Sequence, residues 1–128
     1  MKFLILMNHE MTQEQRPDAI KMLGVAEFVE PPEEISNIWS AIPADVETIE
    51  AILSPVKVWL DSHANAGDVV LVQGDFGAVY HMVNHAFSKK LVPVYATTQR
   101  KVEEKVNDNG CVEITRVFRH QRFRLYQR

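Results

Sequence analysis

Asp68-Val69-Val70-Leu71-Val72-Gln73-Gly74-Asp75-Phe76-Gly77-Ala78 decides how this chain folds. Four apolar residues in a row, Val69–Val72, suit a strand buried on both faces of a parallel sheet. After the polar turn the period changes: Phe76, Val79, Tyr80, Val83, Ala86 and Phe87 recur at helical spacing. A second apolar run, Leu91-Val92-Pro93-Val94-Tyr95-Ala96, follows and ends in Thr97-Thr98. Strand, glycine turn, helix and strand make one βαβ unit. Ligands in such sheets bind beyond the carboxyl ends of the strands. Two such ends are predicted here, Gln73–Gly77 and Thr97-Thr98-Gln99-Arg100-Lys101. The first opens a helix, whose unpaired N–H groups and positive dipole end favour an anion. The turn is neither a Walker loop nor a GxGxxG fingerprint. The Asp75-Phe76-Gly77 triplet occurs in kinases, but a chain this short has no room for their other motifs. An ordinary turn, in which Asp75 caps the helix and the glycines relieve strain, accounts for the same residues.

Working outward, Phe3-Leu4-Ile5-Leu6-Met7 is the predicted first strand, with Asn8-His9 just past its carboxyl end. A helix is expected from about Thr12, with Gln15 three residues on as half of a capping box. Pro17 falls late for the first turn, and Gly24 ends the helix. Val25–Val29 reads as a short strand stopped by Pro31-Pro32. Glu33–Ser40 is a short helix. Asp45 is expected to cap a longer one, with Val46, Ile49, Ile52, Leu53, Val56, Trp59 and Leu60 on one stripe and a kink or break at Pro55. Trp39 and Trp59 read as core or interface residues. Arg100–Val106 is open between helix and strand, because Glu and Lys favour helix. Asn107-Asp108-Asn109-Gly110 is strong turn chemistry, and Cys111–Phe118 is rich in β-formers, so a hairpin is expected. Gln121–Tyr126 alternates, with Arg122, Arg124 and Tyr126 on one face and Phe123 and Leu125 on the other. The expected fold is a single α/β domain with a mainly parallel sheet: residues 1–98 form the core and 99–128 a β-rich extension.

The 128 residues suffice for one domain with a real core. No apolar run approaches the roughly 20 residues of a membrane helix. Met1–Met7 is too short an apolar run for a signal peptide. The lone Cys111 fits a reducing cytoplasm. The net charge of −3 hides an asymmetry: residues 1–61 carry eleven acidic and four basic side chains, the remainder six and ten. Arg116, Arg119, Arg122, Arg124 and Arg128 fall in the last fifteen residues with no acid among them. A local basic surface on an acidic protein favours a compact anionic ligand over duplex DNA, although charge runs also occur as plain solvated tails.

His81 and His85 share a helix face, but no HExxH motif, cysteine pair or third ligand accompanies them. No nucleophile elbow is present. An anion site remains. Asn8-His9, Gln73-Gly74-Asp75-Phe76 and Thr97–Lys101 all follow predicted strands and would converge on one sheet edge. Their amides, hydroxyls, guanidinium, ammonium and imidazole suit a phosphodiester.

Three stretches carry a resemblance to a known family: Val70–Tyr80, Pro93–Arg100 and Val117-Phe118-Arg119-His120-Gln121-Arg122-Phe123-Arg124. Together they resemble the small stand-alone ring nucleases of type III CRISPR systems, whose Rossmann-like fold is called CARF (CRISPR-associated Rossmann fold). Leu6-Met7-Asn8-His9, Leu23-Gly24 and Ile38-Trp39-Ser40 are similar too, so the resemblance spans nearly the whole chain. It implies a cytoplasmic homodimer that binds cyclic oligoadenylates, chiefly cyclic tetra-adenylate, across its two-fold axis. It implies opening of that ring without metal or cofactor: a ribose 2′-hydroxyl attacks its own 3′-phosphate and leaves a 2′,3′-cyclic phosphate. Residue roles come from residue chemistry. His9, Asp75 and Arg100 are assigned to catalysis, with His9 moving a proton. Asn8, Gln73, Gly74, Phe76, Thr97, Thr98, Lys101 and Arg122 are assigned to ligand binding. Two rivals stand beside this reading. One is a sensor or sponge that holds the ring uncut. The other is a phosphocarrier of the mannose-type sugar transport system, with His9 as the phosphorylated residue.

Overall fold

A computed structural model describes Met1–Arg128. The elements are β1 (Lys2–Leu6), α1 (Gln15–Leu23), β2 (Glu27–Val29), α2 (Glu33–Ser40), α3 (Ser54–His63), β3 (Val69–Val72), α4 (Phe76–Ser88), β4 (Val92–Val106) and β5 (Val112–Leu125). They form a mixed α/β fold around one five-stranded sheet of order β2-β1-β3-β4-β5. The first four strands are parallel, and β5 runs antiparallel to β4.

The central strands are apolar on every residue because both sheet faces are covered. Leu4, Leu6, Val70 and Val72 pack with Trp39 of α2, Trp59 and Leu60 of α3, and Met82 and Ala86 of α4. Phe3, Ile5, Val69 and Leu71 point the other way, onto Ala19 of α1, Val94 and Phe123. Each such side chain contributes about 1.5–3 kcal/mol on full burial. Asp68, nearly buried, ties the strand starts together: its carboxylate accepts from the Lys2 N–H at 3.0 Å and the Asn65 N–H at 2.8 Å.

Three local expectations change. The first helix starts at Gln15, not Thr12, so Pro17 falls in its first turn, where its missing N–H is harmless. The Gln15 side chain still reaches back to the Thr12 N–H at 2.9 Å, which is half of the capping box. No helix runs from Asp45. Residues 45–53 form turns and bends, and Pro55 opens α3 within its first turn instead of kinking a longer helix. Finally, β4 does not stop at Thr98. It continues to Val106, and β5 pairs with it along its whole length. Helix propensity at Arg100–Val106 is overridden because β5 satisfies the backbone. The turn between them is where the sequence puts it: Asn107 donates to Cys111 O at 2.7 Å, and Gly110 takes a φ of 80° that other residues resist.

Beyond Ala96 the β4–β5 pair leaves the sheet as a two-stranded ribbon. A register shift between Thr97 and Thr98, where Gln121 has no opposite number, marks the departure. The parallel direction of β4 makes the ribbon rise from the carboxyl edge of the sheet. No helix is long and apolar enough to cross a membrane.

Candidate functional site at the carboxyl edge

From β1 the chain moves outward to β2, then returns to place β3 on the other side of β1. The strand order therefore reverses between β1 and β3, and the crevice beyond their carboxyl ends is where open α/β sheets bind ligands. The loops following these two strands hold Asn8-His9 and Gln73-Gly74-Asp75.

Much of the second loop is committed to the fold. The Gln73 side-chain oxygen accepts the Ala96 N–H at 2.7 Å, extending the β3–β4 contact past the last strand pair. Its backbone oxygen accepts the Trp39 indole N–H at 2.8 Å. Gln73 offers a ligand only its Nε2 hydrogens. Gly74 lies under that indole: a Cβ there would stand 2.9 Å from Trp39 Nε1, so the position packs against Trp39 and offers a ligand only its backbone. Asp75 is the N-cap of α4, its Oδ2 accepting from the Ala78 N–H at 3.0 Å. The capping bond commits one carboxylate oxygen to the helix start and places negative charge where an anion would otherwise be drawn. Phe76 is the opposite case. It begins α4 as a residue 95% exposed, one turn before the exposed Tyr80. With Tyr80 it leaves an uncovered aromatic surface on the first turns of α4.

Thr97–Lys101 is strand, not a loop after a strand, which corrects the expectation that it ends a strand and converges with the other two on the sheet edge. Arg100 lies four residues beyond Ala96, about 13 Å along the ribbon at ~3.3 Å per residue. Strand alternation also divides the assigned residues. Thr98 and Arg100 share one face of the ribbon, while Thr97, opposite Arg122, and Lys101 share the other. The Arg100 guanidinium sits 5.5 Å from the centre of the Phe118 ring. Arg122 Nε donates to the carbonyl of Phe123 at 3.1 Å, and the Thr97 hydroxyl donates to the carbonyl of Arg122 at 3.1 Å.

The ribbon base is locked to α1 and the loop before it. His120 Nε2 meets Asp18 Oδ2 at 2.8 Å, and Arg119 Nη1 donates to Glu14 at 2.9 Å. The Glu14 hydrogen bond and charge, followed by Glu103, raise the Arg119 pKa. On the α4 side, the Tyr126 hydroxyl donates to the carbonyl of Val72 at 2.7 Å, and burial followed by the neighbouring Tyr95 pushes its pKa above the ordinary phenol value.

A cleft of about 270 Å³ lies beside the β1 end, lined by Asn8, His9, Glu10, Glu30 and, from α2, Ser36, Asn37 and Ser40. His9 Nδ1 lies 3.3 Å from the Glu10 carbonyl. The α2 residues escaped the sequence reading. Their signal was a polar face, Ser36 and Ser40 four apart, beside the buried Ile35 and Trp39 four apart. No Lys or Arg lines the cleft, and two carboxylates do, so it suits an uncharged base or ribose better than a phosphate. It is small against the roughly 300–1,000 Å³ of ligand pockets, room for one nucleoside-sized group. On α4, His85 is occupied by Asp61 of α3, at 2.8 Å.

A protein-family model described as "Uncharacterized protein MJ1673 family" matches residues 1–124. This chain belongs to the MJ1673 family. A relative in Methanocaldococcus jannaschii, described as "Uncharacterized protein MJ1673", is 46% identical over 125 residues, covering 98% of this chain and 96% of its own length. The family match runs through the ribbon and back into the sheet, so the ribbon lies within the family's shared length. No solved structure matches the chain.

Proposed function

We propose that this protein is a CARF-like, Rossmann-type ring nuclease that binds cyclic tetra-adenylate and opens it to linear products with a 2′,3′-cyclic phosphate, switching off type III CRISPR signalling. The observation that carries the reading is a nucleoside-sized polar cleft containing His9 beyond the carboxyl end of β1, on the same sheet edge as the nearly bare aromatic Phe76 that opens α4 after β3. A ring of nucleotides needs both, a surface on which a base stacks and a polar recess that holds the next nucleoside. Arg122, opposite Thr97 at the base of the ribbon, supplies the nearest cation for its phosphates, with Arg100 and Lys101 farther along the ribbon on opposite faces. The cleft is too small for a four-nucleotide ring, which supports a site shared by two copies across a two-fold axis.

The chemistry asked of the protein is alignment. Holding a ribose 2′-oxygen in line with the scissile phosphorus–oxygen bond can lower a barrier by roughly 7–11 kcal/mol. The 2′-oxygen forms the new bond to phosphorus as the 5′-oxygen leaves. The proton lost from the 2′-hydroxyl and the one gained by the leaving oxygen are within the capacity of an imidazole such as His9. One observation favours holding without cutting: Asp75 is engaged as a helix cap, which leaves His9 as the single assigned proton carrier at the edge.

The test is incubation of the purified protein with cyclic tetra-adenylate in excess EDTA, with products identified by mass. Linear adenylates ending in a 2′,3′-cyclic phosphate are expected. A tightly bound intact ring would establish the sponge instead. Absence of binding would refute both, and a phosphohistidine at His9 after exposure to a phosphodonor would establish the carrier.

A further inference from the structure

The ribbon is amphipathic, and no part of the chain covers its apolar face. Residues directly paired across the two strands share a face, and successive pairs alternate. The pairs Arg100–Phe118, Val102–Arg116, Glu104–Ile114 and Val106–Val112 therefore lie on one side. Phe118, Val102, Ile114, Val106 and Val112 on that side are all between 58% and 70% exposed. The other side holds Gln99, Arg119, Lys101, Glu103, Thr115, Lys105 and Glu113, with half-buried Val117 as its one large apolar residue. A two-stranded ribbon is at best marginally stable in water unless its apolar face is packed.

We propose that this face packs against the same face of a second copy of the chain, about a two-fold axis crossing the ribbons between the Val102–Arg116 and Glu104–Ile114 pairs. Area and charge both point to that occupant. The five apolar residues expose on the order of 500 Å² per copy, so they supply at most about 1,000 Å² from two copies, at the lower bound of a specific interface before the charged pairs between them are added. Charge selects the axis. With equal levels of the two ribbons opposed, Arg116 would face Arg116 and Glu104 would face Glu104. With the ribbons antiparallel about this axis instead, each Glu104 lies level with the Arg116 of the second copy, and each Phe118 lies level with Val106 and Val112 of that copy. The like-charge arrangement is penalised and the crossed one rewarded, which fixes register as well as affinity. The tip of each ribbon then rests near the base of the other. This inference stands on the ribbon alone and does not depend on the ring-nuclease reading.

The experiment is sedimentation of the full chain over a concentration series. The parent should be a dimer. Ile114→Arg, which would bury an unpaired charge at the centre of the interface, should raise the dimer Kd at least about tenfold while circular dichroism stays that of the parent. Glu104→Arg and Arg116→Glu provide a test that does not depend on that variant folding. Each alone should weaken self-association, because like charges then meet at both crossings. Mixed together they should form a heterodimer tighter than either homodimer, because both crossings then pair opposite charges. A monomeric parent, which would leave the face to a different partner, overturns the proposal. So does a folded Ile114→Arg protein that dimerises as tightly as the parent, or a mixture no tighter than its components.

Discussion

Gly74→Ala should destabilise the protein by about 2 kcal/mol, within the roughly 1–3 kcal/mol that overpacking a core costs. The added Cβ would lie 2.9 Å from Trp39 Nε1, 3.1 Å from Cε2 and 3.3 Å from Cζ2. Gly74 has no positive φ, so the backbone accepts alanine and the cost is steric. The indole cannot retreat cheaply. Trp39 is 2% exposed, and its N–H is bonded to the Gln73 carbonyl, so withdrawal forfeits about 0.5–1.5 kcal/mol of hydrogen bond as well as packing. Gly77→Ala is the internal control. Its Cβ meets chiefly the flexible end of Ile49, at 3.3 Å, and Gly77 lies inside α4, where alanine gains up to about 1 kcal/mol in helix propensity. Urea unfolding followed by tryptophan fluorescence should show Gly74→Ala lower in midpoint with altered native emission. Gly77→Ala should lie level with the parent or above it. In heat the first variant should lose roughly 6–10 °C in Tm. A Gly74→Ala protein as stable as the parent would refute the claim that Trp39 and Gly74 form a rigid contact beneath the crevice.

His9→Ala should slow ring cleavage by about 100- to 10,000-fold with little loss of binding, as expected of a proton-transfer group; single-turnover rates within a few-fold of the parent would leave His9 as scaffold. Arg100→Ala should weaken binding of the tetra-adenylate ring by about 1.5–3 kcal/mol, the range for hydrogen bonds to charged groups, and unchanged affinity in titration calorimetry would remove Arg100 from the site. Tyr126 titrates above its ordinary value of 10.0 in the folded state, so the folded chain holds that proton more tightly than the unfolded one. Its contribution is fully present below the unfolded value and is lost as pH rises through the folded one. Tyr126→Phe should cost about 0.5–1.5 kcal/mol near neutrality, from the bond to the Val72 carbonyl, and should flatten the alkaline fall in urea midpoint; an unchanged alkaline limb would assign that fall to other groups.

Local chemistry wrote the centre of the fold openly. Val69–Val72 could be a strand buried on both faces and little else, and Asp75 was placed to cap the helix that follows. Asn107–Gly110 could only turn, since it combines side chains that favour turns with a glycine at positive φ. Two of the expected strand ends were legible: Asn8-His9 follows β1 and Gln73-Gly74-Asp75 follows β3, on one edge of the parallel pair. What each residue does there was not. Whether Gln73 meets a ligand depends on Ala96, and whether Gly74 does depends on Trp39, partners 23 and 34 residues from Gln73 in sequence. The end of β4 shows the same limit. Arg100–Val106 has helical composition, yet a strand stops only where its partner stops, and β5 continues beside it to Val112. Sequence by itself determined the elements whose period and caps are set within a few residues. Tertiary structure alone decided which polar groups the fold had already consumed and which face of the ribbon was left bare, because hydrogen-bond partners and burial are settled by residues that meet only after the chain has folded.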